Sequence, residues 1–401
     1  MRGRTLKLTM AVLTAALAVS LAIFIAACGS SSGSGSSSGS SPTGGDTIKI
    51  GAIVSTSGSY AALGQPEKNT LEMEVKKIND AGGINGKQIE LFVEDDGTDD
   101  AKAVAAASKL IDQDKVVAIL GPTGSSTSLA IRSTLDRAGV PEISMAAATP
   151  ITNPVDKLVF SVAWPNAIVV PFTFDYMKTQ GITKIGVISD TGGFGKDGLA
   201  VIKAAAPKMG MTITESETFN PGDTDMTAQL TKIKNTDAQA VLMWTAGPEA
   251  STIAKEVQAL DIKVPLYGSH GNANQQFIDG AGAAANGVKF AAGKILIPAA
   301  YGKGTEAFTQ AVKFIDDYKA AYGTAPTTFA GHAFDAIHIV AEAAQGLDVT
   351  AQTMRDAVEK TEGYTGIGGD FTFSPSDHNG LTTKALVMYE IVDGKWTLAK
   401  Q

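Results

Sequence analysis

One cysteine, Cys28, in a chain of 401 residues excludes an intramolecular disulfide, so the fold has to be held by its cores. The four histidines, His270, His332, His338 and His378, have no metal-ligand spacing and no cysteine beside them. No metal site is expected from them. Basic residues are outnumbered 33 to 41, for a net charge of −8, and nucleic acid, whose phosphates require a basic surface, is not an expected partner. Nothing pairs a serine or an acid with a histidine in a catalytic pattern, so neither a catalytic residue nor a cofactor is expected. Beyond the first 27 residues no apolar run is long enough to span a bilayer.

The beginning of the chain is different. Arg2, Arg4 and Lys7 give a basic start, and no charge interrupts Leu8 through Ala27, which is the architecture of a secretory signal ending in small residues. Its close, Ile25-Ala26-Ala27-Cys28, resembles the bacterial lipobox. That resemblance implies removal of residues 1–27 and a lipid on Cys28. "GSSSGSGSSSGSSPTGG" then makes residues 28–46 a flexible tether. The tract contains Gly29-Ser30-Ser31-Ser32-Gly33, a hydrolase-like pattern by composition alone, since no strand leads into it. Loss of the three basic residues makes the mature chain more acidic still. The chain beyond Gly45 is too long for one typical domain and comfortable for two.

From Thr47 onward β-branched runs alternate with amphipathic helical stretches. "IKIGAIVS" reads as a buried strand; Leu71, Val75 and Ile78 then recur at helical spacing, "GGINGKQ" breaks the helix, and "IELFVEDD" begins the next strand. The rhythm continues through "VVAIL", a helix near 129–138 and "PEISM". A second series begins after "FSVAWPN": a helix near 169–178, "KIGVIS", a helix near 199–209, "MTITESETF", "AQAVLMWT" and "VPLYGS". Two such series predict an α/β protein of two doubly wound parallel-sheet lobes. Helices near 306–322 and 328–345, and the strand pair around Asp393-Gly394, do not fit a simple second domain.

Three loops carry chemical interest. "GPTGSSTS" sits between a strand and a helix without the lysine of a phosphate loop, and its hydroxyls and backbone N–H groups suit a carboxylate or plain helix capping. Gly193-Phe194-Gly195-Lys196-Asp197-Gly198 matches a dinucleotide fingerprint formally, but it starts late after its strand. "YGSHGNAN" presents His270 where α/β sheets offer loops to ligands. His332 and His338, six apart on one expected helix, read as core or surface. The acidic run "EDDGTDD" lacks calcium-loop spacing and reads as a solvated strand end and helix cap.

Taken together, "IKIGAIVSTSGSYAALG", "INDAGGINGKQIELFVEDD", "AILGPTGSSTSLA", "GVPEISMAAATP", "TGGFGKDG" and "FNPGDTDMTAQLTKIK" resemble the solute-binding proteins of branched-chain-amino-acid-type ABC importers, with the type I periplasmic-binding-protein fold. The resemblance implies lobes of residues 47–163 with 294–377 and 164–293 with 378–401, joined by three crossings and closing on a ligand by hinge motion. It implies a carboxylate ligand at Thr123, Gly124, Ser125 and Ser126 and at Ala146, Ala147 and Thr149, with Leu63 and Phe194 packing on it. It also implies a monomer that is exported, lipid-anchored on the outer face of the cytoplasmic membrane, and docks on ABC permease subunits. An acid at the position of His270 would pair with an α-ammonium, so histidine there argues for another small carboxylate. A sensory receptor for aromatic or aliphatic carboxylic acids, without transport, is the alternative.

Overall fold

The run "IKIGAIV" forms strand β1 (Ile48–Val54), almost wholly buried, because β-branched residues suit a pleat covered on both faces. Each Ile or Val there contributes about 1.5–3 kcal/mol by burial. After it come α1 (Ala61–Asp80), β2 (Ile89–Asp95), α2 (Asp100–Lys109), β3 (Ile119–Leu120), α3 (Ser125–Ala138), β4 (Glu142–Ser144) and β5 (Val159–Ser161). These strands pair only in parallel, in the order β2-β1-β3-β4-β5. The structure is a computed structural model that describes residues 47–400. Cys28, the signal-like start and the tether lie outside the described residues.

The second series supplies α4 (Asn166–Thr179), β6 (Lys184–Asp190), α5 (Gly193–Ala205), β7 (Thr212–Phe219), α6 (Thr227–Lys234), β8 (Ala240–Trp244), α7 (Glu249–Ala259), β9 (Leu266–Gly268), α8 (Gln275–Ala281) and β10 (Lys289–Gly293). Then α9 (Glu306–Tyr322), α10 (Thr328–Ala343) and α11 (Ala351–Val358) return to the first lobe. There α10 lies along α1, Lys77 of α1 pairs with Asp317 of α9 at 2.6 Å, and Arg355 of α11 donates to the Lys157 carbonyl at 2.7 Å. A short hairpin, β11 (Tyr364–Thr365) with β12 (Asp370–Phe371), precedes the last crossing. Finally β13 (Leu386–Val392) and β14 (Lys395–Leu398) join the second sheet, ordered β14-β13-β10-β9-β8-β6-β7. That sheet is parallel from β7 to β10 and antiparallel at β13 and β14. The Asp393-Gly394 turn sits where the sequence put it.

Two local expectations change. Of "VVAIL" only Ile119–Leu120 is assigned as strand, although Val117 N and the Ala118 carbonyl still bond to β1. In the acidic run Asp99 caps α2 as expected, accepting from Lys102 N, but Asp96 is fully buried beneath Ser55 rather than solvated.

The crossings are tied to one another. Asn379 donates from Nδ2 to the carbonyls of Ser161 (3.2 Å) and Ala163 (2.8 Å), and the His378 carbonyl accepts from Ser161 N (2.9 Å). Trp164 donates to the Gly368 carbonyl at 2.8 Å and packs so tightly on Gly293 that a Cβ there would come within 2.2 Å of its ring. All three crossings therefore meet around two side chains, Trp164 and Asn379.

Two buried carboxylic acids lie away from the lobe interface. Burial pushes Glu142 on β4 up to about 8, against the bond from Ser128 and the nearby Arg132. Burial does the same to Asp335 on α10, up to about 8, although it accepts from Ile367 N (2.7 Å) and Gly368 N (2.6 Å). An acid whose folded value is raised stabilises fully below its unfolded value, and that stability is lost as pH rises through the folded value. Chemical denaturation should therefore show stability falling from about pH 5 to about pH 9. The Glu142→Gln variant should flatten that slope; an unchanged slope would remove Glu142 as a contributor.

Candidate functional site

The loops that leave the C-terminal ends of β1, β3, β4, β6, β8 and β9 converge on one small cavity between the lobes, the usual ligand position in parallel α/β sheets. From the first lobe it is lined by Tyr60, Leu63, Thr123, Ser125, Met145 and the Ala146-Ala147 pair. The second lobe contributes Phe194, Ala246, His270 and Gly271, and Ala163, Phe329 and His332 close the hinge side. Its volume is about 30 Å³, room for a water or two. A ligand enters only when the lobes part.

The sequence expected Thr123, Ser125, Ala146, Ala147, Leu63, Phe194 and His270 here, and all seven line the cavity. Gly124, Ser126 and Thr149 do not line it. Gly124 is the N-cap of α3. Ser126 abuts the second lobe, its backbone N lying 2.7 Å from where a Gly193 Cβ would stand. Thr149 donates its backbone N–H across the cleft to Asp197 Oδ2 at 2.8 Å, and its hydroxyl is buried without a partner. The glycines of the fingerprint-like loop serve close approach. A Cβ on Gly198 would meet Trp244 at 2.0 Å, and one on Gly195 would meet the Asp190 carbonyl at 2.4 Å.

The helix N-terminus is electrostatically open. No side chain caps α3, so the backbone N–H groups of its first turn have no intrahelical partner and carry the positive end of the helix dipole. The expected alternative of capping by Ser125 or Ser126 is therefore not realised; Ser125 Oγ instead accepts from Ala148 N at 3.2 Å. Thr123 Oγ1 accepts from Ser55 N at 3.0 Å and is bonded to Glu67 Oε2. Glu67 is fully buried, its Oε1 has no partner, and burial holds it well above the usual carboxylate range. Thr123 Oγ1 is the donor in its bond to Glu67, so Glu67 fixes the orientation of the Thr123 hydroxyl at the cleft.

Sequence reading did not identify three further groups: Tyr60, which lines the cavity, and the buried acids Asp190 and Glu249, which lie near it without lining it. Asp190 closes β6 almost fully buried; it accepts from Gly192 N at 2.8 Å and leaves Oδ2 unpartnered. Burial, with Glu249 adding to it, pushes Asp190 up to about 6. Glu249 opens α7, is 4% exposed, and accepts from Gly222 N at 2.6 Å. Tyr60 reaches toward both from the first lobe: burial first, then the charges of Asp190 and Glu249, hold its hydroxyl far above the ordinary value. Position 270 carries histidine where an acid was looked for, and these two carboxylates stand elsewhere in the second lobe. They come from other strands, and only the sheet order brings them together.

Aromatic rings form the remaining wall. Phe194 stacks near Trp244 with centroids 6.2 Å apart, and His270 sets its ring edge-on to Phe194 at 5.1 Å and to Trp244 at 5.9 Å. His332, read from sequence as core or surface, instead lines the cavity, 4.6 Å from the Trp164 ring. His338 pairs with Glu74 at 3.1 Å, and His378 is buried between the Val159 carbonyl and Glu359. Among the described residues no cluster of His, Cys, Asp or Glu could hold a metal ion, and no helix is long and apolar enough to cross a membrane.

Closure has a mechanical test. Gly193→Val would drive a side chain into the backbone of Ser126, so it should hold the lobes apart. Small-angle scattering should report a larger radius of gyration than wild type at nearly unchanged unfolding free energy. Equal radii would show that this contact does not limit closure.

Comparison with known proteins agrees with this geometry. The profile of the family described as periplasmic binding protein matches residues 47–395. A Leu/Ile/Val-binding protein homolog of Brucella melitensis and a leucine-, isoleucine-, valine-, threonine- and alanine-binding protein of Pseudomonas aeruginosa are each 28% identical over 61% of this chain. The matched stretch spans just under two thirds of each, 66% and 65%. Among solved structures, an extracellular ligand-binding receptor of Rhodopseudomonas palustris is 30% identical with a TM-score of 0.82, covering 88% of this chain and all of that one. The branched-chain amino acid transporter substrate binding protein LivJ of Streptococcus pneumoniae, in complex with isoleucine, is 30% identical with a TM-score of 0.79, covering 88% of this chain and 99% of that one.

Proposed function

This chain belongs to the periplasmic binding protein family, and we propose that it is the solute receptor of an ABC importer that captures an α-amino acid by closing its lobes. The observation that carries this reading is the uncapped start of α3 at a cavity between the lobes, with two buried acids close to Tyr60 of its lining. The uncapped start of α3, with the Ser125 hydroxyl, suits an α-carboxylate, and Thr123 lines the same end. Asp190 and Glu249, with the Tyr60 hydroxyl, suit an α-ammonium. Leu63, Ala147 and Phe194 supply apolar contact, and the Thr149 to Asp197 bond latches the closed form. The lobe boundaries implied by the resemblance belong to the same proposal, with the crossings as hinge. So do the absence of catalysis and the monomeric state.

The relatives' names support this ligand class: one is named for leucine, isoleucine, valine, threonine and alanine, and another holds isoleucine. The export signal and Cys28 put the receptor, in this reading, on a lipid tether at the outer face of the cytoplasmic membrane, beside its permease.

An amino acid at 100 times its Kd should stabilise the protein by about 2.7 kcal/mol, seen in a thermal-shift panel as a rise of roughly 2–4 °C. Glu249→Gln should weaken binding of that amino acid about tenfold or more while leaving its α-keto analogue unaffected. No shift with any amino acid would sink the ligand class. Fractionation of cells expressing Cys28→Ser should find the protein released from membranes, and retention there would count against the tether.

A further inference from the structure

With the carboxylate and ammonium ends assigned, the third side of the cavity, toward the hinge, is left for the ligand side chain. A receptor for leucine, isoleucine or valine would line that side with carbon alone. This one does not. His270 and His332 are 5% and 2% exposed and both line the cavity; the Trp164 and Val162 carbonyls lie near them, but neither ring nitrogen of His270 nor Nδ1 of His332 has a partner in good hydrogen-bond geometry. The side chains around them, Phe194, Trp244, Trp164 and Phe329, are aromatic rings that offer edges and faces, so no neighbouring side chain accepts from them.

We propose that the side-chain end of the cleft is built for an amino acid bearing a hydroxyl or carboxamide, which His270 and His332 hydrogen-bond. The inference rests on the amino-acid reading above and narrows it. Burial, with His332 adding to it, pulls His270 down to about 3, and burial pulls His332 down to about 4. Both are uncharged at neutral pH, and each uncharged imidazole offers one donor and one acceptor. A hydroxyl or a carboxamide also carries both a donor and an acceptor, so it can satisfy the pair; an aliphatic side chain leaves the nitrogens stranded. A ligand of that chemistry gives the nitrogens what water gives them in the open cleft, bond for bond. A pocket of carbon rejects an added hydroxyl only weakly, whereas a pocket with buried polar groups in need of partners rejects the analogue lacking them by orders of magnitude.

The test uses shape-matched pairs, L-threonine against L-valine and L-asparagine against L-leucine, titrated calorimetrically into the full-length protein. The polar member of at least one pair should bind at least tenfold more tightly than its apolar partner. His332→Leu and His270→Leu should reduce or reverse that preference. Equal or tighter binding of valine and leucine by wild type overturns the inference and leaves the amino-acid reading standing. Absence of binding by all four overturns both. A polar preference that survives both substitutions overturns the assignment to the histidines, and the wild-type comparison decides the ligand chemistry even if a variant fails to fold.

Discussion

Closure of this protein turns on one buried amide, Asn166, at the first residue of α4. Its backbone N–H donates to the Ala147 carbonyl at 3.0 Å, and its Oδ1 accepts from Trp244 Nε1 at 3.1 Å. Its Nδ2 donates to the Phe194 carbonyl at 3.3 Å and to Asp197 Oδ2 at 2.8 Å. Asn166 thereby fixes, in one fully satisfied side chain, a cleft loop of the first lobe, the aromatic floor of the second, and the carboxylate that latches them. A buried network of this kind specifies one arrangement because each partner left alone would carry the full penalty of an unmet polar group.

The rest of the cleft is organised by where polar groups are left open. Asn166 and Asn379 have every bond they need, and they hold the frame. Around the cavity the reverse holds: the first turn of α3, Asp190 Oδ2, and nitrogens of His270 and His332 lack partners. Since buried polar groups in folded proteins are nearly all satisfied, the open groups at the cleft support the ligand-binding role proposed above.

Much of the architecture was legible because it is local. Alternating runs such as "KIGVIS" record which faces are buried, Thr305 and Thr327 cap α9 and α10 where those helices were expected, and Asp393-Gly394 turns the terminal hairpin. The site was half legible. Thr123, Ser125 and Phe194 sit in loops with recognisable chemistry after strands. Glu249 and Asp190 were missed because an acid at a helix start or a strand end is ordinary; what makes them unusual is burial, and one-dimensional pattern does not report it. The position after Glu249's strand, β8, was a place to look, since strand ends at the cleft were already the rule.

His332 shows where reading by period stops. Helical spacing correctly separated it from His338, yet could not say that its face meets Trp164 and the cavity, while His338 meets Glu74. That outcome depends on three crossings that carry α10 back beneath α1 and bring position 332 beside positions 164 and 270. The sequence by itself determined the strands, the helices and the glycines of close approach, because each derives from short-range sterics and patterning. Only the tertiary structure decided which distant histidines line one enclosed volume and which acids are buried near it. Burial and electrostatic coupling act through space, and their partners here lie tens to hundreds of residues apart.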